Sequence, residues 1–174
     1  YKVLSTAANL NNHIGVPLTL LKMDRETEIA VIEMGASAPG EIELLCKIAT
    51  PDAGLITNVG KAHLLGFGSF DGVRRTKGEL YDYLKASSGT ALYNSGNPIL
   101  VDMINERKGL KIIPYGAELA GTLILPSSPE NPFLSMKIEG GRVIKTNMIG
   151  SYNSDNVLAA LAAGALFEVD KEEA

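Results

Sequence analysis

Two residues that commonly bind cations fall close to predicted strand ends, and a lysine follows in the next predicted helix. Glu33 ends the apolar run IAVIE, His63 follows the run GLITNV, and Lys77 comes fourteen positions later. Such runs are typical of buried parallel strands, and ligands of open α/β sheets collect at the carboxyl ends of the strands. We therefore expect Glu33 and His63 on one rim, with Lys77 able to reach it from the next helix. Together the three residues can build a cation site. Taken alone, His63 also fits an exposed histidine, and Lys77 also fits a solvated helix lysine.

The elements that must position these residues alternate between strand and helix patterns. Strands separated by helices of about ten residues indicate βαβ units and a mainly parallel sheet. We expect the segments 28–34 and 53–59 to be neighbouring parallel strands of that sheet. The predicted strands are KVLST, EIAVIEM, AGLITNV, GTALYN and LKIIPYG, and the predicted helices are GVPLTLLKM, PGEIELLCKIA opening at Pro39, a helix capped by Ser69 and reaching Leu84, and NPILVDMINERKG.

The rhythm changes after Gly116. Three strand-like runs follow without an intervening helix, and Gly140-Gly141 is a favourable hairpin turn. We therefore predict a small antiparallel addition over residues 117–149, followed by an Ala-rich helix. The predicted fold class is α/β, a three-layer α/β/α domain with a mainly parallel sheet plus this addition.

Composition excludes several classes of partner. The 174 residues are 45% hydrophobic and 21% charged with a net charge of −4, and no basic stripe predicts nucleic-acid binding. No apolar stretch approaches the roughly 20 residues that a membrane span needs. Nothing resembles a secretory leader, so we expect a cytoplasmic protein. The single cysteine, Cys46, is expected to be a small buried hydrophobe.

Four sequence motifs, taken in order, resemble the central domain of the Mur ligases, which has a P-loop NTPase-like fold. The branch most similar to this chain adds D-alanyl-D-alanine to UDP-N-acetylmuramoyl-tripeptide. The likeness covers most of residues 3 to 164 and is weakest in 95–148. The motifs are NLNNHIGVPLTLL (9–21), AVIEMGASAPGEIELL (30–45), NVGKAHLLGFGSFDGVRRTKGELY (58–81) and GSYNSDNVLAALAAG (150–164).

The resemblance implies ATP-dependent amide ligation through an acyl phosphate in peptidoglycan synthesis, with ATP and Mg²⁺ as cofactors. The expected substrates are UDP-N-acetylmuramoyl-tripeptide and D-alanyl-D-alanine, handled by a monomer. By the same match, Glu33 and His63 bind metal. Lys77 matches the lysine that these ligases carry as a carbamate, whose oxygens suit Mg²⁺.

The resemblance also assigns residues around the substrates. Asn153 and Asn156 match the adenine-side asparagines, and their spacing of three puts them on one helix face; Asn153 also fits a simple helix cap. Asn11 and Asn12 match a family motif that lies near the substrate, although loop asparagines are commonly turn formers. Ser69 belongs to the Phe-Gly-Ser word after His63 and fits a helix cap equally well.

One motif of the family is missing. No Gly-Lys-Ser/Thr word occurs, since Gly60-Lys61 is followed by Ala62, and a P-loop is the main phosphate cradle. We expect residues 1–174 to be a central-domain fragment that lacks the P-loop and the flanking domains and is inactive alone. The alternatives are another Mur or folylpolyglutamate synthase-type ligase, or a non-catalytic binding module. The third residue of the acceptor peptide, diaminopimelate or lysine, stays open.

Overall fold

The computed structural model describes residues 1–60, 64–170 and 172–174, and these residues fall into two units. The first unit comprises residues 1–54 and 59–90, and the second comprises 55–58 and 91–174. In the described part of the chain, no helix has both the length and the apolarity needed to cross a membrane.

The first unit alternates short strands and helices. Its parallel strands pair in register from Val3↔Ile29 to Ser5↔Val31. Its elements are Val3–Ser5 (β1), Gly15–Leu20 (α1), Ile29–Val31 (β2), Glu41–Ala49 (α2), Leu64–Phe67 (α3) and Phe70–Ser87 (α4).

The core of the first unit forms where α1 and α4 pack on α2. Val16 of α1 meets Ile42, Leu45 and Cys46 of α2, and Leu80 of α4 packs against this cluster. Cys46 is fully buried there, which confirms the predicted role of its side chain as a small hydrophobe. The buried side chains of α2 recur at helical spacing, so one face of the helix turns inward.

Two sheets shape the second unit. Ala53–Leu55 (β3), Thr90–Asn94 (β4) and Lys111–Tyr115 (β5) form a sheet in the order β3-β4-β5, most of which lies in this unit. Pro98–Asn105 (α5) crosses between the last two strands, starting where Asn97 Oδ1 accepts the N–H groups of Ile99 and Leu100.

The antiparallel addition is confirmed. Leu123–Leu125 (β6), Phe133–Lys137 (β7) and Val143–Ile149 (β8) form an antiparallel sheet in chain order. The predicted turn is present at Gly140 and Gly141, whose φ values of 81° and 82° suit glycine. A 3₁₀ turn at Ser151–Asn153 then leads into the Ala-rich helix Ser154–Leu166 (α6). The α/β class, with mainly parallel sheets and this addition, is therefore confirmed.

Three details of the prediction were wrong. The strands 28–34 and 53–59 are not paired, because β2 pairs with β1 and β3 with β4 in separate sheets; consecutive strands are often, but not always, neighbours. The IAVIE run is not buried, since Val31 on this two-stranded sheet is 57% exposed. The second helix begins at Glu41 and not at Pro39, because Gly40 adopts a left-handed φ of 84°.

Candidate active site

Glu33 lies just beyond β2 and is held by two other segments, one at its backbone and one at its carboxylate. Its backbone N–H donates to Thr6 Oγ1 at 2.9 Å, and Thr6 N–H donates to the Val31 carbonyl at 3.0 Å. The Asn11 side chain donates from Nδ2 to Glu33 Oε1 at 2.8 Å. The ends of both parallel strands and the loop before α1 therefore converge on Glu33, and the loop contacts its carboxylate.

The loop that carries Asn11 approaches the chain after Glu33 closely. Gly35 N–H donates to the Asn11 carbonyl at 2.7 Å. A Cβ at Gly35 would lie 2.9 Å from Asn11 Cγ, so a side chain there would push the asparagine away. Glycine at position 35 thus permits the contact that orients Glu33.

Asn12 has a local structural role. Its Oδ1 accepts the N–H groups of Ile14 at 3.1 Å and Gly15 at 2.9 Å, at the start of α1. The turn-forming alternative for this asparagine is therefore present in the structure. Asn12 also lines the cavity described next.

A cavity of about 360 Å³ adjoins Asn11 in the first unit. Its lining combines polar side chains with two leucines of α2. Its lining residues are Asn11, Asn12, His13, Gly35, Ala36, Ser37, Glu41, Leu44 and Leu45. Small ligands commonly bind in concave sites that combine apolar side chains with a few polar groups.

Glu41 contributes a negative charge to this cavity. Its Oε2 accepts the N–H groups of Ser37 at 2.6 Å and Ala38 at 3.0 Å. These backbone donors hold the pKa of the Glu41 carboxyl below its ordinary value, with a smaller contribution from the nearby His13. The lining of the cavity therefore includes a carboxylate that is ionised at neutral pH.

Lys77 lies on α4 in the first unit, with its side chain half-buried. Burial lowers the pKa of its ammonium group, because removal from water disfavours the charged form. The amine is therefore more readily neutral than that of a solvated lysine.

The predicted metal ligands are only partly placed. His63 lies outside the described residues. In the ranges that the structure does describe, no three His, Cys, Asp or Glu side chains form a metal-binding group. Glu33 still suits Mg²⁺, which is commonly bound by one or two carboxylates with water and substrate phosphates. Asn11 orients its Oε1, and no described residue donates a hydrogen bond to its Oε2.

Ser69 serves as the N-cap of α4. Its Oγ accepts the N–H of Gly72 at 3.0 Å, and its backbone is extended. The helix of Lys77 therefore starts at the predicted residue, and no substrate contact is needed to explain this serine.

In the second unit, Asn153 and Asn156 form a pair at the start of α6. Asn156 Nδ2 donates to Asn153 Oδ1 at 2.9 Å, and Asn153 Nδ2 donates to the Ile149 carbonyl at 2.9 Å. Asn153 makes no side-chain capping bond, so the alternative of a simple helix cap is wrong. Within the described chain, Asn156 Oδ1 receives no hydrogen bond, so this acceptor remains available to an outside donor.

Three residues near the site were not identified from the sequence. Thr6 follows β1 as Glu33 follows β2, so the strand-end rule that selected Glu33 also selects Thr6. Glu41 carried no comparable signal. Glu79, which binds the start of α2 from another helix, carried none either.

Comparison with known proteins gives this geometry a family context. Residues 1–164 match the Mur ligase middle domain. A UDP-N-acetylmuramoyl-tripeptide--D-alanyl-D-alanine ligase of Bacillus subtilis (strain 168) is 39% identical over 178 residues, which cover 100% of this chain and 37% of that protein. The chain thus spans little more than a third of this relative.

Solved structures agree. A crystal structure of MurF from Acinetobacter baumannii has a TM-score of 0.82 at 29% identity, over 98% of this chain and 38% of that one. A crystal structure of MurF ligase from Thermotoga maritima in complex with ADP has a TM-score of 0.81 at 27% identity, over 97% and 40%. The family match extends over nearly the whole sequence and includes every predicted site residue. The chain therefore belongs to the Mur ligase family, and residues 1–164 are its middle domain.

Proposed function

We propose that this chain is the middle domain of an ATP-dependent ligase that joins D-alanyl-D-alanine to UDP-N-acetylmuramoyl-tripeptide. The observation that carries the proposal is Glu33 at the end of a parallel strand, with its carboxylate oriented by Asn11 and its backbone N–H bound by Thr6, beside a cavity. The names of the relatives support the substrate pair, and the ADP complex of a related enzyme supports ATP. The reaction belongs in the cytoplasm, where ATP is available, and a monomer suffices for it.

The proposed reaction has two steps. The tripeptide carboxylate attacks the γ-phosphate of ATP, which gives an acyl phosphate and releases ADP. The amine of D-alanyl-D-alanine then adds to the acyl carbon, and phosphate leaves from the tetrahedral intermediate. Both steps depend on neutralised phosphoryl charge and on aligned reacting groups.

Glu33, His63 and Lys77 are the proposed holders of Mg²⁺. Magnesium bound there would supply positive charge against the phosphate oxygens. Glu33 offers an oriented carboxylate, and the neutral amine of Lys77 can react with CO₂ to give a carbamate with two oxygen donors. The lowered pKa of Lys77 supports this modification, because only the neutral amine is nucleophilic.

The cavity beside Glu33 is the proposed site for part of the tripeptide substrate. Asn11 and Asn12 line it, and so do two leucines of α2 that can contact apolar atoms. Ser69 is the third residue proposed on the substrate side, in addition to its role as the cap of α4. On the nucleotide side, Asn153 and Asn156 present amide groups whose donors and acceptors match those of adenine.

The test replaces Glu33 by Gln in the whole ligase and measures phosphate release with both substrates present. Glutamine keeps the acceptor for Asn11 but removes the charge, so we expect turnover to fall roughly thousandfold, in line with a lost charge interaction of several kcal/mol. Glu26→Gln removes the charge of a carboxylate in an exposed pair with Lys2 and is the matched control. Near-normal turnover of Glu33→Gln at ordinary Mg²⁺ would reject the proposed site.

The same assay separates the alternatives. D-alanyl-D-alanine, L-glutamate and other single amino acids are each supplied as the amine in separate reactions. Ligation only of the dipeptide supports the proposed substrate, whereas ligation only of a single amino acid indicates another member of the family. ATP hydrolysis with neither product indicates a different activity.

A further inference from the structure

The start of α2 is capped by a residue from another helix. Its N-cap is Gly40, in a left-handed conformation with no side chain to accept the first N–H groups. Glu79 of α4 supplies the acceptors: Oε1 accepts Gly40 N–H at 2.8 Å, and Oε2 accepts Glu43 N–H at 2.9 Å. Helix N-termini leave such donors unsatisfied and favour a negative charge, so this carboxylate is well placed to bind there.

The contact also fixes how α4 is turned. Two oxygens of one carboxylate bind two separate backbone donors, which restricts both the position and the rotation of α4 against α2. Lys77 precedes Glu79 by two residues. At 3.6 residues per turn the two side chains project about 200° apart, on opposite sides of α4. A small rotation at Glu79 would therefore displace the amine of Lys77 at the end of its long side chain.

The start of α2, which Glu79 contacts, is connected to Glu33 by a short loop. Residues 34–40 lead directly from Glu33 into α2, and Glu41 holds the middle of that loop through Ser37 and Ala38. Glu79 therefore ties the helix of Lys77 to the segment that begins at Glu33.

We infer that Glu79 is a positioning residue, which sets where Lys77 stands relative to Glu33 by capping α2 from α4. The inference rests on the proposed function, since it assigns Lys77 and Glu33 to one site. Glu79 need not touch substrate or metal to act in this way.

The first measurement is local and independent of catalysis. Amide hydrogen exchange of Gly40 and Glu43 is compared in the wild-type chain, Glu79→Ala, Glu79→Gln and the control Glu43→Gln. The control removes the carboxylate of Glu43, which lies at the same end of α2. This carboxylate pairs with Lys47 and accepts none of the N–H groups at the start of α2. We expect exchange at both amides to rise at least about tenfold in Glu79→Ala and to stay unchanged in the control. Unchanged protection in Glu79→Ala would overturn the inference.

The second measurement uses the whole ligase. A misplaced Lys77 should lower kcat at least about tenfold in Glu79→Ala, with KM for the tripeptide substrate within about threefold. Glu79→Gln keeps one acceptor and should recover part of kcat, and it replaces the alanine variant if that variant fails to fold. A purely structural cap would lower the melting temperature and leave kcat unchanged below it, which would overturn the inference even where amide protection is lost. Absence of ligase activity in the wild-type protein would reject the proposed function and this inference together, whatever the exchange result.

Discussion

Lys77 is the residue at which a structural and a chemical role are most easily separated. A solvated helix lysine can be replaced by Ala at a cost of a few tenths of a kcal/mol and with little effect on activity. If Lys77 is carbamylated, Lys77→Ala in the whole ligase should nearly abolish turnover. Added short carboxylic acids should restore part of it, because they can occupy the vacated oxygen-donor position.

Lys77→Arg sharpens the same test. A guanidinium keeps its positive charge and cannot form this carbamate, so the variant should also fail. Lys85→Arg, on an exposed position of the same helix, is the matched control and should keep full activity. Steady-state phosphate release measures all of these variants. A Lys77→Arg ligase working at the wild-type rate would end the carbamate hypothesis.

Tyr115 gives a pH dependence with a definite sign. Burial, and then the charge of Asp155, raise the pKa of its hydroxyl. The folded state holds this proton more tightly than the unfolded state, so the stabilisation is complete below the unfolded pKa of about 10 and is lost as the pH rises through the folded value.

Urea unfolding at pH 8 and above pH 10 measures the Tyr115 effect. The wild-type free energy of unfolding should fall over that interval, and Tyr115→Phe should reduce the fall. Tyr152→Phe, at an exposed position, is the control and should follow the wild type. Parallel curves for wild type and Tyr115→Phe would contradict the assignment.

At the scale of elements, the start of α4 depends on Ser69. Removing its capping oxygen with Ser69→Ala should lower the free energy of unfolding by about 1 kcal/mol, and Ser69→Asp should retain most of the stability. Chemical denaturation measures both variants. Equal stability of Ser69→Ala and wild type would show that the cap contributes little.

The aspartate variant also tests the substrate role proposed for Ser69. In the whole ligase, Ser69→Asp with wild-type turnover would assign this residue to the helix alone. A stable variant with strongly reduced turnover would instead indicate a contact with substrate.

Features set by neighbouring residues were the ones the sequence could predict. The cap at Ser69 and the Gly140-Gly141 turn were found because each depends on local backbone geometry. The cap on α2 was not found, because Glu79 lies 39 residues from Gly40 and only tertiary packing brings them together. The pairing of β2 was wrong for the same reason, since strand order depends on the whole sheet and not on the order along the chain.

The site shows the same division. Glu33 could be placed at a strand end from its apolar run, and Thr6 follows the same rule. The contact between Glu33 and Asn11 could not be predicted. The two loops must approach each other at Gly35 before the Asn11 amide can reach the Glu33 carboxylate. The expected place of His63 on this rim stays a prediction, since that residue lies outside the described ranges.

For the molecule as a whole, nucleotide affinity is the informative quantity. The sequence contains no Gly-Lys-Ser/Thr word to cradle phosphates. We therefore expect the 174-residue chain alone to bind ATP weakly or undetectably in titration calorimetry, with the whole ligase as the positive control. Micromolar affinity of the chain alone would show that its own residues suffice for the phosphates.

The chain has two units, and a practical consequence follows from the core of the first. Cys46 is the only cysteine, is fully buried, and has a thiol whose pKa burial raises to about 12. Such a thiol stays protonated at neutral pH and out of reach of maleimides. A cysteine introduced at an exposed position in either unit can therefore be labelled selectively without first removing the native one. Fluorophores attached in this way would report on the 174-residue chain while leaving its core unchanged.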